Sequence, residues 1–572
     1  MRSQGGARIA PTPSSPRQRR RGACPTLALL LLSAQWSSPV ARLPEPAPGG
    51  ELRFCLQAEP KTFNPLLVSE EPDEVINYLT GGVLIRINRM TQAFEPALAE
   101  SWRILDGGRI IKFQLREGVQ FSDGAALTPA DVLFSLRSVL DPATHSPAGD
   151  PFHIQKGPVV VSQPGGRSIQ VSLPAPMAGV ERLFDQVPIV SARAVEKSAR
   201  PTEMPVLGPY RIAEYRSGSY ILLTRNPFYW KKDSGGRRLP YIDSVRLSIQ
   251  RNRDLELVRF LRGDIHLING MDAESYERLA AKRPAEARDA GRSLESEQMW
   301  FNQVAHAPIP EYRKEWFRSR EFRCAISQAI NRADLARLVF RGHAAPALGP
   351  VSPANLSWFN ANLRPPTFDP ASALARLKAS GFSLTDSTLR DRHGNVVEFS
   401  LVTNSGNKSR ERLASMIQQD LARIGIRLNV ITLDFGSLIE RITRTFNYES
   451  CLLGMVNIDL DPSAQMNIWL SSAASHAWNP ARPSPETAWE AEIDRLMRAQ
   501  AVEVSFNRRK ALFDRVQEIV IEEAPVLVLV DKSSLSGVSG SLGNAMPAAL
   551  QPQSFWNIDQ LFFHQTAPGA GR

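Results

Sequence analysis

The sequence predicts a mixed α/β protein of at least two lobes, with a β-rich insertion near residues 90–200. Three observations carry that expectation. First, "SWRILDGGRIIKFQLREGVQF" (101–121) alternates apolar and polar residues, so Ile111, Phe113 and Leu115 share one face of a hairpin around Asp106-Gly107-Gly108. Second, "YIDSVRLSIQRNRDLELVRFLRGDIHLI" (241–268) reads strand, helix, strand, the pattern of an α/β lobe. Third, the chain turns α-rich after "EQMWFNQ". "REFRCAISQAINRADLARLVFRG" (320–342) has helical spacing, while "KSRERLASMIQQDLARIGIRLNVITLD" (408–434) and "RRKALFDRVQEIVIEEAPVLVLVD" (508–531) each run from helix into strand.

The remaining elements follow in order. Residues 1–42 hold seven arginines and no acid, so the other 530 residues share a net charge of only +3 out of the formal +10. That near-neutral body disfavours a nucleic-acid partner. Within the leader, "RQRRRGACPTLALLLLSA" places a basic run before about nine apolar residues from Leu27, which suits export better than a bilayer span. Neither Ala34 nor Ala41 completes a good cleavage site, and a plain disordered Arg-rich terminus is the competing reading. "ARLPEPAPGG" (41–50) is a linker and "GGELRFCLQAEP" (49–60) a first strand. "EVINYLTGGVLIR" (74–86) is a short helix or strand entry broken at Gly81-Gly82. Residues 157–175 supply a pair of short strands, and "GPYRIAEYRSGSYILLTRNPFYW" (208–230) a second hairpin.

Chemistry is sparse. Eight histidines stand singly, with no H-E-x-x-H, no G-x-S-x-G elbow and no phosphate loop, so no enzymatic constellation is present and no metal or cofactor is expected. The four cysteines, Cys24, Cys55, Cys324 and Cys451, have no C-x-x-C spacing; free buried thiols are expected for the last three, with one disulfide among them as the alternative. Asp123 and Asp131, eight residues apart in "GVQFSDGAALTPADVLF", look like a carboxylate pair. Asp123-Gly124 nevertheless fits a tight turn, and Thr128-Pro129-Ala130-Asp131 fits a capped helix start.

That stretch also carries a resemblance. "PALAESWRILDGGRIIKFQLREGVQFSDGAALTPADVLFSLRSVLDP" (96–142) closely resembles the signature of the family 5 extracellular solute-binding proteins, the dipeptide, oligopeptide and nickel receptors of ABC importers. The resemblance resumes at 208–230, 320–350, 412–430 and 508–530, and covers nearly all of residues 50–560. It implies a two-lobed periplasmic-binding-protein (Venus flytrap) fold with an extra β-rich domain, hinged near Gln298–Asn302 and after Ala524. The expected division is a leader (1–42), a linker (43–50), lobe I (51–88, 204–297 and 522–566), the β-rich domain (89–203) and lobe II (298–521). The implied function is that of a monomeric receptor in the periplasm, which captures a peptide or peptide-like solute and delivers it to an ABC permease and ATPase complex. An uncleaved leader would hold it to the membrane. Alternatives are an oligosaccharide or metal-chelate receptor of the same fold, or a sensor or chaperone-like binder without a permease.

Peptide-binding relatives carry a cleft segment of the form G-W-x-x-D-…-[DE]-P, whose aspartate pairs with the peptide ammonium. The corresponding run is "GMVNIDLDP" (454–462), which puts Gly454 and Met455 at the first two positions but Ile458 at the aspartate. Asp459 comes one residue late and would point the other way in a strand. Asn457 lies between them. This departure favours a ligand with no α-amine or one anchored elsewhere. Further candidates rest on position: Ser69, Glu70 and Glu71 after the first strand, Asn404, Asn407 and Arg410 at the start of a lobe II helix, and Trp358 in "GPVSPANLSWFN". Trp469, Trp478 and Trp489 would suit sugar stacking if exposed, and core packing otherwise.

Overall fold

The computed structural model describes residues 46, 48–153, 157–197, 199–456 and 459–565. The expectations for the leader therefore lie outside the described residues.

Three sheets organise the chain. In the first, the strand Glu51–Leu56 runs parallel to Ser244–Ile249, which pairs antiparallel with Tyr220–Arg225 and, through it, Tyr210–Arg216. Alternation aims Leu52, Phe54, Ile221, Leu223, Val245 and Leu247 into one core, closed by the helix Glu71–Thr80 through Val75, Ile76 and Leu79 and by Phe555 from the C-terminal segment. The helix ends at Thr80 with Gly81 as its C-cap, so "EVINYLT" is helical and Gly81-Gly82 breaks it.

The second sheet is the β-rich insertion, ordered Ala99–Leu105, Ile110–Leu115, Ser168–Ser172, Val160–Gly165. Ile111, Phe113 and Leu115 are buried as the alternation requires, against the helix Pro129–Leu140 and Phe184. The two conspicuous aspartates are local fittings. Asp123 Oδ1 accepts from the Ala125 amide at 3.0 Å, and Asp131 closes a capping box with Thr128 while accepting from the Ala192 amide at 3.0 Å.

The third sheet is the frame. Its order is Leu267–Ile268, Val526–Val538, Ala287–Phe301, Ser450–Val456, Glu398–Asn404, Arg427–Leu433. The strands Ala287–Phe301 and Val526–Val538 have 15 and 13 residues, so they span about 40 to 50 Å. At one end Gly537 and Val538 pair with Leu267–Ile268; at the other Trp300 and Phe301 pair with Ser450–Val456. The two strands thus carry the chain from one lobe to the other. Their pairing slips between Asp289 and Arg292, between Arg292 and Ser296, and between Glu297 and Gln298. The last of these abuts the hinge segment expected at Gln298–Asn302, and the other two fall earlier in the strand. A bulge exchanges ladder hydrogen bonds for bend, and bends need such sites.

The segment 241–268 departs from its expectation in one respect. Strand Ser244–Ile249, helix Arg253–Arg262 and strand Leu267–Ile268 appear in order, but the last strand pairs with Val526–Val538 in the frame. The order of elements is local, whereas the choice of neighbour is made by a strand some 270 residues away. Helices Arg320–Ala329 and Lys408–Ala422 pack on the frame around Phe301, Phe322 and Phe399, while Ala488–Val502 and Phe506–Glu523 form an antiparallel pair over Trp300 and Trp478. Cys55, Cys324 and Cys451 are free, and Cys324 is only half-buried.

Candidate functional site

A cavity of about 650 Å³ lies where the three sheets meet, within the range of small-solute sites. Its wall draws on the helix Glu71–Thr80 and on the strand Ile85–Ile87, whose Ile85 packs in the core of the insertion. The insertion contributes Asp150, Arg182 and Asp185, the frame Ser293–Glu295, and the segment after Ser450–Val456 contributes Asp459 and Met466; Ala549–Gln553 close the remaining side.

Of the residues singled out from sequence, Ser69, Glu71 and Asp459 are in this wall. Glu70 is beside it, as the N-cap of the helix and an ion-pair partner of Lys61. Asn457, with Ile458, lies outside the described residues. Trp358, Asn404, Asn407, Arg410, Gly454 and Met455 stand away from the cavity, each for a structural reason. Trp358 is 6% exposed and packs against Phe506, Phe513 and the Arg509 guanidinium. Arg410 donates to both carboxylate oxygens of buried Glu297, at 2.8 and 3.2 Å, and also to Asn404, so these two side chains satisfy each other. Gly454 makes room for that pair: a Cβ there would stand 2.5 Å from Arg410 Nη2. Met455 lies in the ladder opposite Ser296, and Asn407 caps the helix Lys408–Ala422. Trp469 and Trp478 are buried in the core beneath the helical pair, with Trp489 packed against it.

Asp459 departs from the strand-parity expectation. The strand ends at Val456, so Asp459 belongs to a loop and does face the cavity. There it is already paired. Its Oδ2 accepts from Arg182 Nε at 2.9 Å, and its Oδ1 from the Asp461 amide at 2.9 Å. Behind it, Asp461 receives both terminal nitrogens of Arg509 and lies 3.9 Å from Arg182. Burial alone would raise the Asp461 carboxyl; the Arg182 and Arg509 guanidiniums overcome it and hold the group below its usual range. Burial likewise works against the Arg182 charge, and Asp461 and Asp459 outweigh it.

Arg182 belongs to the turn Val180–Asp185 of the insertion, so this pair bridges the insertion and the frame. The approach depends on Gly179, at φ +65°, where a Cβ would stand 2.6 Å from Asp461 Oδ2. Two more bridges flank it. Gln92 exchanges hydrogen bonds with Ala354 and Leu356 at 2.6 and 2.9 Å, and the Ala178 amide donates to the Ala501 carbonyl at 2.9 Å. Free charge in the wall lies elsewhere. Glu74 has its carboxyl raised by desolvation and by the neighbouring carboxylates of Glu71 and Asp73. Of the opposite sign are Arg86 and, paired with Asp185, Arg89; neither was singled out from the sequence. An arginine inside the apolar run "GGVLIRINR" was the available signal.

Comparison with known proteins agrees with this architecture. The model of "Bacterial extracellular solute-binding proteins, family 5 Middle" matches residues 93–477. The chain is 26% identical to the di/tripeptide-binding protein 2 of Pseudomonas aeruginosa, over 88% of this chain and 92% of that protein. Among solved structures, NikA from Brucella suis in complex with Fe(III)-EDTA superposes with a TM-score of 0.75 at 20% identity, covering 90% of this chain and 100% of its own. The oligopeptide-binding protein AppA from Bacillus subtilis, with a nonapeptide, gives 0.68 at 22%, covering 91% and 100%. With the frame strands crossing between lobes and a cavity lined by both, the chain belongs to the family 5 bacterial extracellular solute-binding proteins and has their two-lobed fold with an added β-rich domain.

Proposed function

We propose that this receptor captures a short peptide or peptide-like solute in the 650 Å³ cavity and delivers it to an ABC permease in the periplasm, by binding and without catalysis. The observation that carries the reading is the composition of the wall: side chains from both lobes and the insertion converge on one cleft, as capture of a solute between lobes requires. The division into lobe I (51–88, 204–297, 522–566), insertion (89–203) and lobe II (298–521) is supported by the first two sheets, which fall within lobe I and within the insertion, while the third runs through both lobes. Support for export comes from the family, and no helix among the described residues is long and apolar enough to cross a membrane. The peptide class is supported by the Pseudomonas relative. Because Arg182 already pairs with Asp459, the ammonium of such a peptide is not anchored there.

Native mass spectrometry of the purified protein tests this, because a closed receptor can retain its solute through purification. A retained population of di- to pentapeptides is the expected result. A retained sugar or metal chelate, or no peptide giving a shift in a broad thermal screen, would overturn it.

A further inference from the structure

Two guanidiniums in the cavity wall share one carboxylate. Arg89 is committed to structure: it donates to the Ile87 carbonyl at 2.9 Å and to Asp185 Oδ2 at 2.9 Å. Asp185 also accepts from the Ile87 amide at 3.0 Å. Arg86 comes no nearer than 3.6 Å to Asp185 and donates no hydrogen bond among the described residues. Its guanidinium lies over the Tyr78 ring, 4.6 Å from the centroid, with Arg89 at 5.7 Å from the same ring. Stacking fixes the plane of a guanidinium while leaving its in-plane N–H donors free. The nearby Asp559 supplies no compensation, since it is held by Lys231 at 3.1 Å and by the Tyr229 hydroxyl at 3.0 Å. Glu71 and Glu74 are not within ion-pair distance of Arg86 among the described residues. Two guanidiniums against the single carboxylate of Asp185 leave one positive charge in surplus at this corner of the wall, and the Arg86 fork has no hydrogen-bond acceptor among the described residues.

We propose that Arg86, backed by Arg89 and oriented by Tyr78, is an anion subsite that takes a carboxylate of the bound solute. The inference rests on the cavity being the solute site, and it narrows the solute to one carrying an acidic group. A guanidinium fork matches a carboxylate with two parallel hydrogen bonds, and low surrounding polarity strengthens them. The carboxylate can be a peptide terminus or one arm of a polycarboxylate.

The experiment uses the purified full chain, its R86Q and R86K variants, and two sets of probes. Thermal shift compares citrate and acetate with chloride at equal ionic strength. Calorimetry compares trialanine with its C-terminal amide. The wild type is expected to gain stability from the carboxylates and to bind the free acid about tenfold to a hundredfold more tightly than the amide. R86Q loses both preferences, and R86K, which keeps charge without the fork, falls between. A carboxylate response in R86Q equal to the wild type, or no response in the wild type, overturns the subsite. If neither tripeptide binds while citrate still distinguishes wild type from R86Q, the peptide reading fails and the anion subsite stands. Should R86Q not fold, R86K decides by the same comparison.

Discussion

Asp531 makes the crossing strands sensitive to pH in a direction opposite to that of most carboxylates. Its side chain is 2% exposed in the strand Val526–Val538, and its one guanidinium partner is Arg292 at 3.2 Å, beside a slip in strand register. Burial raises its carboxyl to about 7, with Arg292 opposing the rise. An unfolded aspartate titrates near about 3.9. Between these two values the folded chain holds a proton that the unfolded chain has released, so stability falls as pH rises through the window and levels off above it. The shift of about three units sets an upper bound on the order of 4 kcal/mol. The assay is urea unfolding of the wild type and D531N at pH values from 4 to 8. Other carboxylates contribute equally to both proteins, so the difference between the two curves isolates Asp531. The wild type should lose ground to D531N steadily up to pH 7 and then run parallel to it. Curves parallel across the whole range would refute the reasoning, because an asparagine cannot reproduce a titration.

Three other outcomes follow from the same contacts. R410A leaves Glu297, 3% exposed at its side chain, with only Lys532 at 3.7 Å, and should cost about 3–5 kcal/mol in urea unfolding; a loss under about 1 kcal/mol would remove the pair from the frame's support. R182Q releases Asp459 and should shift small-angle scattering of the solute-free protein toward a larger radius of gyration; an unchanged profile would deny the pair any part in closure. T128A removes the cap of the helix Pro129–Leu140 and should cost about 1 kcal/mol, with unchanged stability as the contrary result.

What the sequence discloses depends on how far apart the partners are. The turn at Asp123 and the capping box at Asp131 are legible because every participating group lies within a few residues. Hairpins were equally plain, since alternation and turn residues occur together. Arg410 shows the limit. Its position at a helix start resembles that of a ligand contact, yet its partner Glu297 lies 113 residues earlier and only the folded frame joins them. Asp459 shows a subtler one: strand parity holds only while the strand lasts, and this strand stops three residues short. Arg86 carried no motif at all. Its meaning depends on Tyr78 and on an Asp185 that is 99 residues away and already engaged by Arg89.

The bridge between Arg182 and Asp459 has a kinetic side. A cation contributed by the insertion and an anion contributed by the loop after Ser450–Val456 would, without any solute, do what a solute does and favour a shut form. Apparent affinity rises in proportion to the fraction of receptors already shut, because less of the binding free energy goes into rearrangement. The same bias would send empty receptors to the transporter, where they would compete with loaded ones for docking. Weakening this contact therefore exchanges affinity for fidelity, and its strength sets how well the importer can tell a full receptor from an empty one.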